Sequence, residues 1–265
     1  MSIWQQIVKP ADGAAWVTGA SGGIGKALAL RLARDGWTVH ATARREEELE
    51  ALAREADGLD GRIVPLPGDV TDPATMTRAV ETITADGPLA LVVLNAGVYT
   101  PMRAQEFSAE TFQKHMAVNL QGMANALEPV LKHMIPRKAG HVALMGSVAG
   151  YRGLPNATAY SPTKAGAIAM AEALAMDMAD LGVRISVINP GFVETDATAV
   201  NEFDMPFLMK PEEAANRIVD GLGRPGFEIA FPTRFALILK TIGLLPNRAY
   251  IWVVRKALGW DKMDA

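Results

Sequence analysis

Ala14-Ala15-Trp16-Val17-Thr18-Gly19-Ala20-Ser21-Gly22-Gly23-Ile24-Gly25 joins a short uncharged run to the opening of a helix. Five residues without a charge run straight into a turn crowded with glycine. Ile24, Leu28 and Leu32 then recur at helical spacing. A short apolar strand, a tight turn and a helix follow one another without a linker. The same rhythm continues downstream. Apolar runs at Thr38–Thr42, 63–66, Leu89–Leu94 and His141–Met145 read as buried strands, and Leu49, Leu52 and Ala56 mark a helical face between two of them. Residues 160–181 predict a long helix, 184–188 a strand, Pro211–Leu222 a helix and Glu228–Phe231 a last strand. Strands apolar throughout, rather than alternating, belong to a sheet covered on both faces. Strand–helix repetition points to an α/β fold with a doubly wound parallel sheet flanked by helices.

The bulk composition sets bounds on this reading. A chain of 265 residues suits one α/β unit that buries roughly three quarters of its unfolded surface. Cysteine is absent, which excludes disulfides, thiolate metal sites and cysteine nucleophiles and fits a reducing compartment. A net charge of −3 gives no electrostatic reason to bind nucleic acid. Residues 1–10 lack the charged start and apolar core of a secretory signal, and no run reaches the ~18 apolar residues of a spanning helix. The expectation is a cytoplasmic protein of one domain. Residues 1–232 form its body, and 233–265 add a helical extension.

The glycine turn has a chemical use in this context. Positions without side chains let the backbone approach a pyrophosphate, and a helix N-terminus offers unpaired N–H groups. The spacing is G-x-x-x-G-x-G rather than G-x-G-x-x-G. A plain turn remains the alternative. Following a first strand and opening a helix, it predicts a Rossmann-type dinucleotide site built on Thr18, Gly19, Ser21, Gly23, Ile24 and Gly25. The end of the second strand bears on which dinucleotide binds. An NAD site wants a carboxylate about 20 residues past the glycines. Here the chain reads Ala43-Arg44-Arg45 with no acid before Glu46. A guanidinium fork grips a 2′-phosphate, so NADP(H) is favoured over NAD(H). Two solvated arginines opening a helix are the alternative.

Tyr160-Ser161-Pro162-Thr163-Lys164 sets a phenol and an ammonium four residues apart, on one face of a helix whose first turn holds the proline. A positive charge ~4 Å away contributes roughly 4 kcal/mol at an effective dielectric near 20, about three pKa units. The pair therefore predicts a tyrosine brought into the range of proton transfer.

Taken together, Thr18–Gly25, Asn95-Ala96-Gly97, Asn119, Ser147, Tyr160 with Lys164, and Pro190-Gly191 resemble the short-chain dehydrogenase/reductase family. The resemblance covers about residues 10–232. It implies that Ser147 holds the substrate oxygen and Tyr160 moves the proton. Lys164 would bind the nicotinamide ribose and lower the tyrosine pKa, while Asn119 positions a water beside it. Asp69, followed by Val70, would contact adenine, and Asn95, Ala96 and Gly97 would steady the sheet beside the cofactor. Pro190, Gly191, Val193 and Thr195 resemble the loop that binds the carboxamide. The family also implies a homodimer or homotetramer. Gly22 departs from the pattern, because many NADP-preferring members carry a basic residue there. The nucleotide reading then rests on Arg44 and Arg45. The four histidines, at 40, 115, 133 and 141, lack metal-ligand spacing, and no metal is expected.

The substrate end is less sharply written. Residues 196–210 carry Phe203, Met205, Phe207, Leu208 and Met209, an adaptable apolar set that suits either a lid over a nonpolar substrate or the anchors of that lid. Beyond residue 232, Phe235, Ile238, Leu239, Ile242 and Leu245 follow helical spacing; Pro246 breaks the run, and 249–258 resumes it around Tyr250, Ile251, Trp252 and Val254. So wide an apolar surface has three destinations: the core or a partner copy, the wall of a substrate pocket, or a membrane surface. The reading as a whole is an NADP(H)-dependent oxidoreductase interconverting a carbonyl and an alcohol on a small apolar substrate. A catalytically idle NADP(H)-binding sensor and a membrane-associated reductase stand beside it.

Overall fold

The apolar runs pair as parallel strands because neither face of the sheet meets water. The computed structural model describes residues 7–200 and 205–257. Strands β1 (Ala14–Thr18), β2 (Thr38–Thr42), β3 (Arg62–Pro65), β4 (Leu89–Leu94), β5 (His141–Met145), β6 (Arg184–Pro190) and β7 (Glu228–Phe231) form one seven-stranded sheet in the order β3-β2-β1-β4-β5-β6-β7. Every pairing is parallel. Between the strands run α1 (Gly23–Arg34), α2 (Glu46–Glu55), α3 (Pro73–Ala85), α4 (Ala109–His115), α5 (Gly122–Arg137), α6 (Tyr160–Asp177) and α7 (Pro211–Leu222). The chain is a single-domain, Rossmann-type doubly wound sheet.

The strand order reverses between β1 and β4, so the loops leaving those two strands part and open a crevice at their carboxyl ends. Trp16, Leu28, Leu49, Leu91 and Leu94 are fully buried in the core of this fold. Truncating one such leucine to alanine costs about 2–5 kcal/mol. The Trp16 indole N–H donates to Thr42 Oγ1 at 2.8 Å and ties β1 to β2 within the core.

Several boundaries differ from those read off the sequence. The helix expected over 160–181 ends at Asp177. Gly182, at φ 70°, turns the chain back into β6, and a Cβ there would stand 2.6 Å from the Lys138 carbonyl oxygen. Strand β3 begins at Arg62 and closes at Pro65, rather than spanning 63–66. Strand β6 runs on to Pro190 because β7 pairs with it as far as Phe231. The tail forms two helices, α8 (Thr233–Gly243) and α9 (Asn247–Ala257), the second starting directly after Pro246. Residues 1–6, Phe203 in the lid and Leu258 at the end of the expected last helix lie outside the described residues.

Candidate active site

The crevice is built first from backbone. Gly19, at φ 69°, follows β1, and its N–H donates to the Thr42 carbonyl at 2.7 Å. Gly23 sits at φ 51°, where a side chain would strain the backbone and meet Thr195 at 2.9 Å. At Gly25 a Cβ would lie 2.2 Å from the Gly19 carbonyl oxygen and 2.5 Å from Asn95 Nδ2. Helix α1 starts after Gly22 with no side chain capping it, so its first N–H groups stand at the crevice floor. Asn95 holds this turn against β4. Its side chain donates to the carbonyls of Thr18 (2.9 Å) and Gly19 (3.1 Å), while Thr18 Oγ1 accepts the N–H groups of Asn95 and Ala96 at 3.0 and 3.1 Å. Asn95 thus joins the two strands that flank the reversal.

One cavity of about 630 Å³ extends from this turn. At one end Ser21, Ile24, Arg44, Arg45, Asp69 and Val70 line it. Arg45 donates to Ser21 Oγ at 3.2 Å and pairs with Glu48 at 2.6 Å, which pins it over the turn. Asp69 Oδ1 accepts from the N–H and hydroxyl of Thr71 at 2.9 and 2.8 Å, fixing the loop after β3. Val70 is buried and packs where Gly122 leaves room, its carbonyl accepting from Asn125 at 2.9 Å.

Ser147, Tyr160 and Lys164 line the same cavity, together with Ala96 and Gly97 after β4 and with Pro190, Gly191, Val193 and Thr195 at and beyond the end of β6. Ser147 follows β5. Its hydroxyl accepts the Ala149 N–H at 3.1 Å and lies 3.4 Å from the Pro190 carbonyl, its acceptor there. Tyr160 opens α6 and contacts the Ser147 hydroxyl. Lys164, one turn on, is only 2% exposed, and its ammonium donates to the Met145 carbonyl at 2.7 Å. That ammonium is 5.5 Å from the Tyr160 ring centroid. Burial brings its pKa down to about 8.

The expected depression of the tyrosine pKa is reversed. Burial, joined by the Tyr99 phenol, pushes Tyr160 up to about 12, against a smaller downward pull from the Ser147 hydrogen bond. The four-residue spacing implies an ammonium about 4 Å away but carries no information on the loss of water. In the folded chain the ammonium is already committed to the Met145 carbonyl, and desolvation of the phenolate is the largest effect on the phenol.

Asn119 lies in a wide π turn, Met116–Gln121, inserted between α4 and α5. Such turns re-aim single side chains at functional sites. Asn119 Oδ1 accepts the Val98 N–H at 2.7 Å, and its amide donates to the Val98 carbonyl (2.9 Å) and Thr163 Oγ1 (3.2 Å). It serves the Gly97–Val98 loop rather than its own helix. Asn119 Oδ1 and Lys164 Nζ converge beside Gly97, 3.4 and 3.7 Å from where a Cβ would stand.

The far end of the cavity is apolar. Phe192, Phe235, Leu239, Ile242 and Val254 line it, so the buried side of the tail is a pocket wall. In the lid, Met209 is an anchor: it is buried, and the N–H of Glu194 donates to its carbonyl at 2.9 Å. Phe207 packs on Phe235 with centroids 5.7 Å apart. Two polar knots hold the wall. Glu228 accepts from Tyr151 (2.6 Å) and Asn189 (2.8 Å) and is bonded to Lys240. Burial alone would raise this carboxyl, but those bonds outweigh it and keep the pKa below the usual range. Arg152 donates to the carbonyls of Gly243 (2.9 Å) and Leu245 (2.8 Å) and to Asn247 (2.6 Å), and lies 3.9 Å over the Tyr250 ring.

Sequence reading missed Tyr99, whose ring meets Tyr160 edge-on at 5.0 Å. An aromatic two places beyond the Asn95-Ala96-Gly97 turn was the available signal. The histidines serve structure: His115 accepts the Thr100 N–H at 3.0 Å, His133 that of Leu89 at 3.3 Å, and His141 bonds Ser186 at 2.9 Å, while His40 is buried. Among the described residues no three His, Asp or Glu side chains cluster as a metal would require.

A doubly wound sheet with a glycine turn at its switch point and a Ser-Tyr-Lys cluster beside it defines a dinucleotide-linked oxidoreductase. Residues 13–205 match the family described as short chain dehydrogenase, and the chain belongs to that family. It is an NAD(P)-dependent dehydrogenase or reductase by that membership. It is 38% identical over 243 residues to an uncharacterized oxidoreductase of Myxococcus xanthus, covering 91% of this chain and 96% of that one. It is 33% identical over 214 residues to the 3-oxoacyl-(acyl-carrier-protein) reductase of Thermotoga maritima, covering 77% and 87%. Its fold superposes with a TM-score of 0.75 and 28% identity on the alcohol dehydrogenase from Thermococcus sibiricus complexed with 5-hydroxy-NADP, covering 83% and 95%.

Proposed function

We propose that this chain uses NADP(H) to interconvert a carbonyl and an alcohol on an apolar substrate, with Tyr160 moving the proton. The observation that carries the reading is continuity: glycine turn, Ser147–Tyr160–Lys164 cluster and apolar end share one cavity. The residues present fit a dinucleotide. The glycines leave room against the uncapped start of α1 for a pyrophosphate, while Asp69 and Val70 would contact adenine and Arg44, which lines the same cavity, would meet a 2′-phosphate. Lys164 and Asn95 to Gly97 would hold the nicotinamide ribose, and Pro190, Gly191, Val193 and Thr195 the carboxamide. The T. sibiricus relative, solved with an NADP derivative, supports the choice of nucleotide.

When bound, the nucleotide supplies or accepts the hydride. The chain's own residues handle oxygen and proton. Ser147 donates a hydrogen bond to the substrate oxygen and orients it toward the phenol. A Tyr160 pKa near 12 keeps the phenol protonated at neutral pH, ready to donate to an oxygen gaining negative charge. The phenolate left behind would be steadied by the Lys164 ammonium, which lies 5.5 Å from the centre of the Tyr160 ring. Asn119 shapes the Gly97–Val98 wall beside Lys164 and positions a water through which the proton is replaced. Phe192, Phe235 and Leu239 exclude bulk water from the reacting end.

The test is oxidation of NADPH and NADH followed at 340 nm across a panel of apolar aldehydes and ketones. NADPH is expected to support turnover, with kcat about 100- to 10,000-fold lower in Tyr160→Phe. The preference for NADPH over NADH should shrink in Arg44→Ala. Undiminished turnover in Tyr160→Phe would remove the assignment, and a preference for NADH would overturn the nucleotide.

A further inference from the structure

Residues 233–257 hold Arg234, Lys240, Arg248, Arg255 and Lys256 and no Asp or Glu, in a chain whose net charge is −3. This strongly basic segment is also the one whose apolar residues are only half used. Helices α8 and α9 bury Phe235, Ala236, Tyr250 and Val254. The other side leaves Leu237, Ile238, Leu244, Ile251 and Trp252 exposed, Leu244 by 87% and Trp252 by 60%. On α9 the basic and aromatic groups share a stripe: Arg248, Trp252 and Lys256 follow at four-residue steps, with the Lys256 ammonium 4.9 Å from the Trp252 ring. Ile238 and Ala257 are exposed and also line the cavity, so the patch reaches the cavity edge.

We propose that the outer face of α8 and α9 docks on an anionic lipid bilayer. Its apolar side chains would enter the headgroup boundary while Arg248 and Lys256 meet lipid phosphate, Lys240 being held by Glu228, and the rest of the chain stays in water. No helix of the described residues is long and apolar enough to cross a membrane, so contact is confined to the surface. A second copy is a poorer occupant, because two such faces would set like charges against each other. An acidic protein would satisfy the charge but gives no reason for apolar surface running on to the cavity edge. A bilayer supplies an apolar phase to those side chains and anionic headgroups to the basic ones beside them. The docking stands independently of the reaction proposed above.

The experiment is sedimentation of the full-length protein with vesicles of phosphatidylcholine alone, and with phosphatidylglycerol added. Two double variants accompany the wild type, Ile251→Ser with Trp252→Ser and Arg248→Glu with Lys256→Glu, each matched to it in circular dichroism and melting midpoint. None of the four residues lines the cavity. The wild type is expected to pellet with the anionic vesicles only and to be released by salt, and each variant to lose at least tenfold of its partitioning. Protein that stays in solution with both vesicle types, or pelleting that survives either pair of substitutions, would overturn the proposal. Light scattering that shows the variants splitting a dimer, with no vesicle binding by the wild type, would assign the face to a second copy.

Discussion

At the scale of single residues the site depends on how burial sets two protons. Lys164 is held at about 8 in the folded chain against an ordinary 10.5. Between those values the unfolded chain binds a proton that the folded one has released, so this residue's contribution to stability rises with pH. Below pH 8 the buried charge costs its full amount; above 10.5 the cost is gone. A Lys164→Met variant should therefore gain on the wild type at neutral pH, with the difference falling by of order 3 kcal/mol between pH 8 and 10.5. Urea unfolding of both proteins across that window measures it. A difference that does not move with pH would mean the ammonium is better solvated than its 2% exposure implies. Tyr160 shows the opposite side of the same physics, since the water stripped from a phenolate outweighs the Ser147 hydrogen bond. Nearness of charge was legible in the spacing Tyr160 to Lys164, whereas loss of water depends on every atom packed around them.

Elements position these residues through contacts far apart along the chain. Arg152 leaves the loop just after Ser147 and binds the carbonyl end of α8, 91 residues on, together with Asn247 at the start of α9. It caps a helix C-terminus that has no intrahelical partner for those carbonyls. Arg152→Ala should cost about 2 kcal/mol of stability in urea unfolding, the scale of a charged hydrogen bond left unmade in a partly buried place. With the pocket wall loosened, KM for a bulky apolar substrate should rise several-fold while kcat for a short ketone stays near wild type. An equal loss for both substrates would mean that Arg152 disturbs Ser147 directly. Nothing near Arg152 in sequence announces this contact. It arises because the loop after β5 and the turn between α8 and α9 meet in the fold.

The whole molecule links cofactor and stability. A ligand that binds only the folded chain adds about 2.7 kcal/mol when present at ~100 times its Kd. For a chain of 265 residues that corresponds to a melting shift of roughly 5–10 °C. NADPH should produce such a shift, with NADH giving less at equal concentration. Gly25→Ala should abolish it, because the added methyl would stand 2.2 Å from the Gly19 carbonyl oxygen and push the turn out of the crevice. Differential scanning fluorimetry reads all three, and an undiminished shift in Gly25→Ala would show that the turn is not where the nucleotide sits.

Much of the sheet was readable in one dimension, since a strand buried on both faces is mostly apolar without alternation, as Leu89–Leu94 and residues 142–145 are. The glycine turn was equally plain, because only glycine serves where backbone packs on backbone, as at Gly19 and Gly25. Asn95 and Ser147 stood at strand ends, which locates them whatever the helices do. Tertiary structure alone decided the rest. The Tyr160 pKa turned upward, Asn119 reached Val98 across a π turn, Tyr99 came edge-on to Tyr160, and one side of the tail became a pocket wall. Each of these depends on burial or on contacts between distant segments. Local spacing determines which side chains share a face; the water removed from that face and the partner set opposite it are properties of the closed fold.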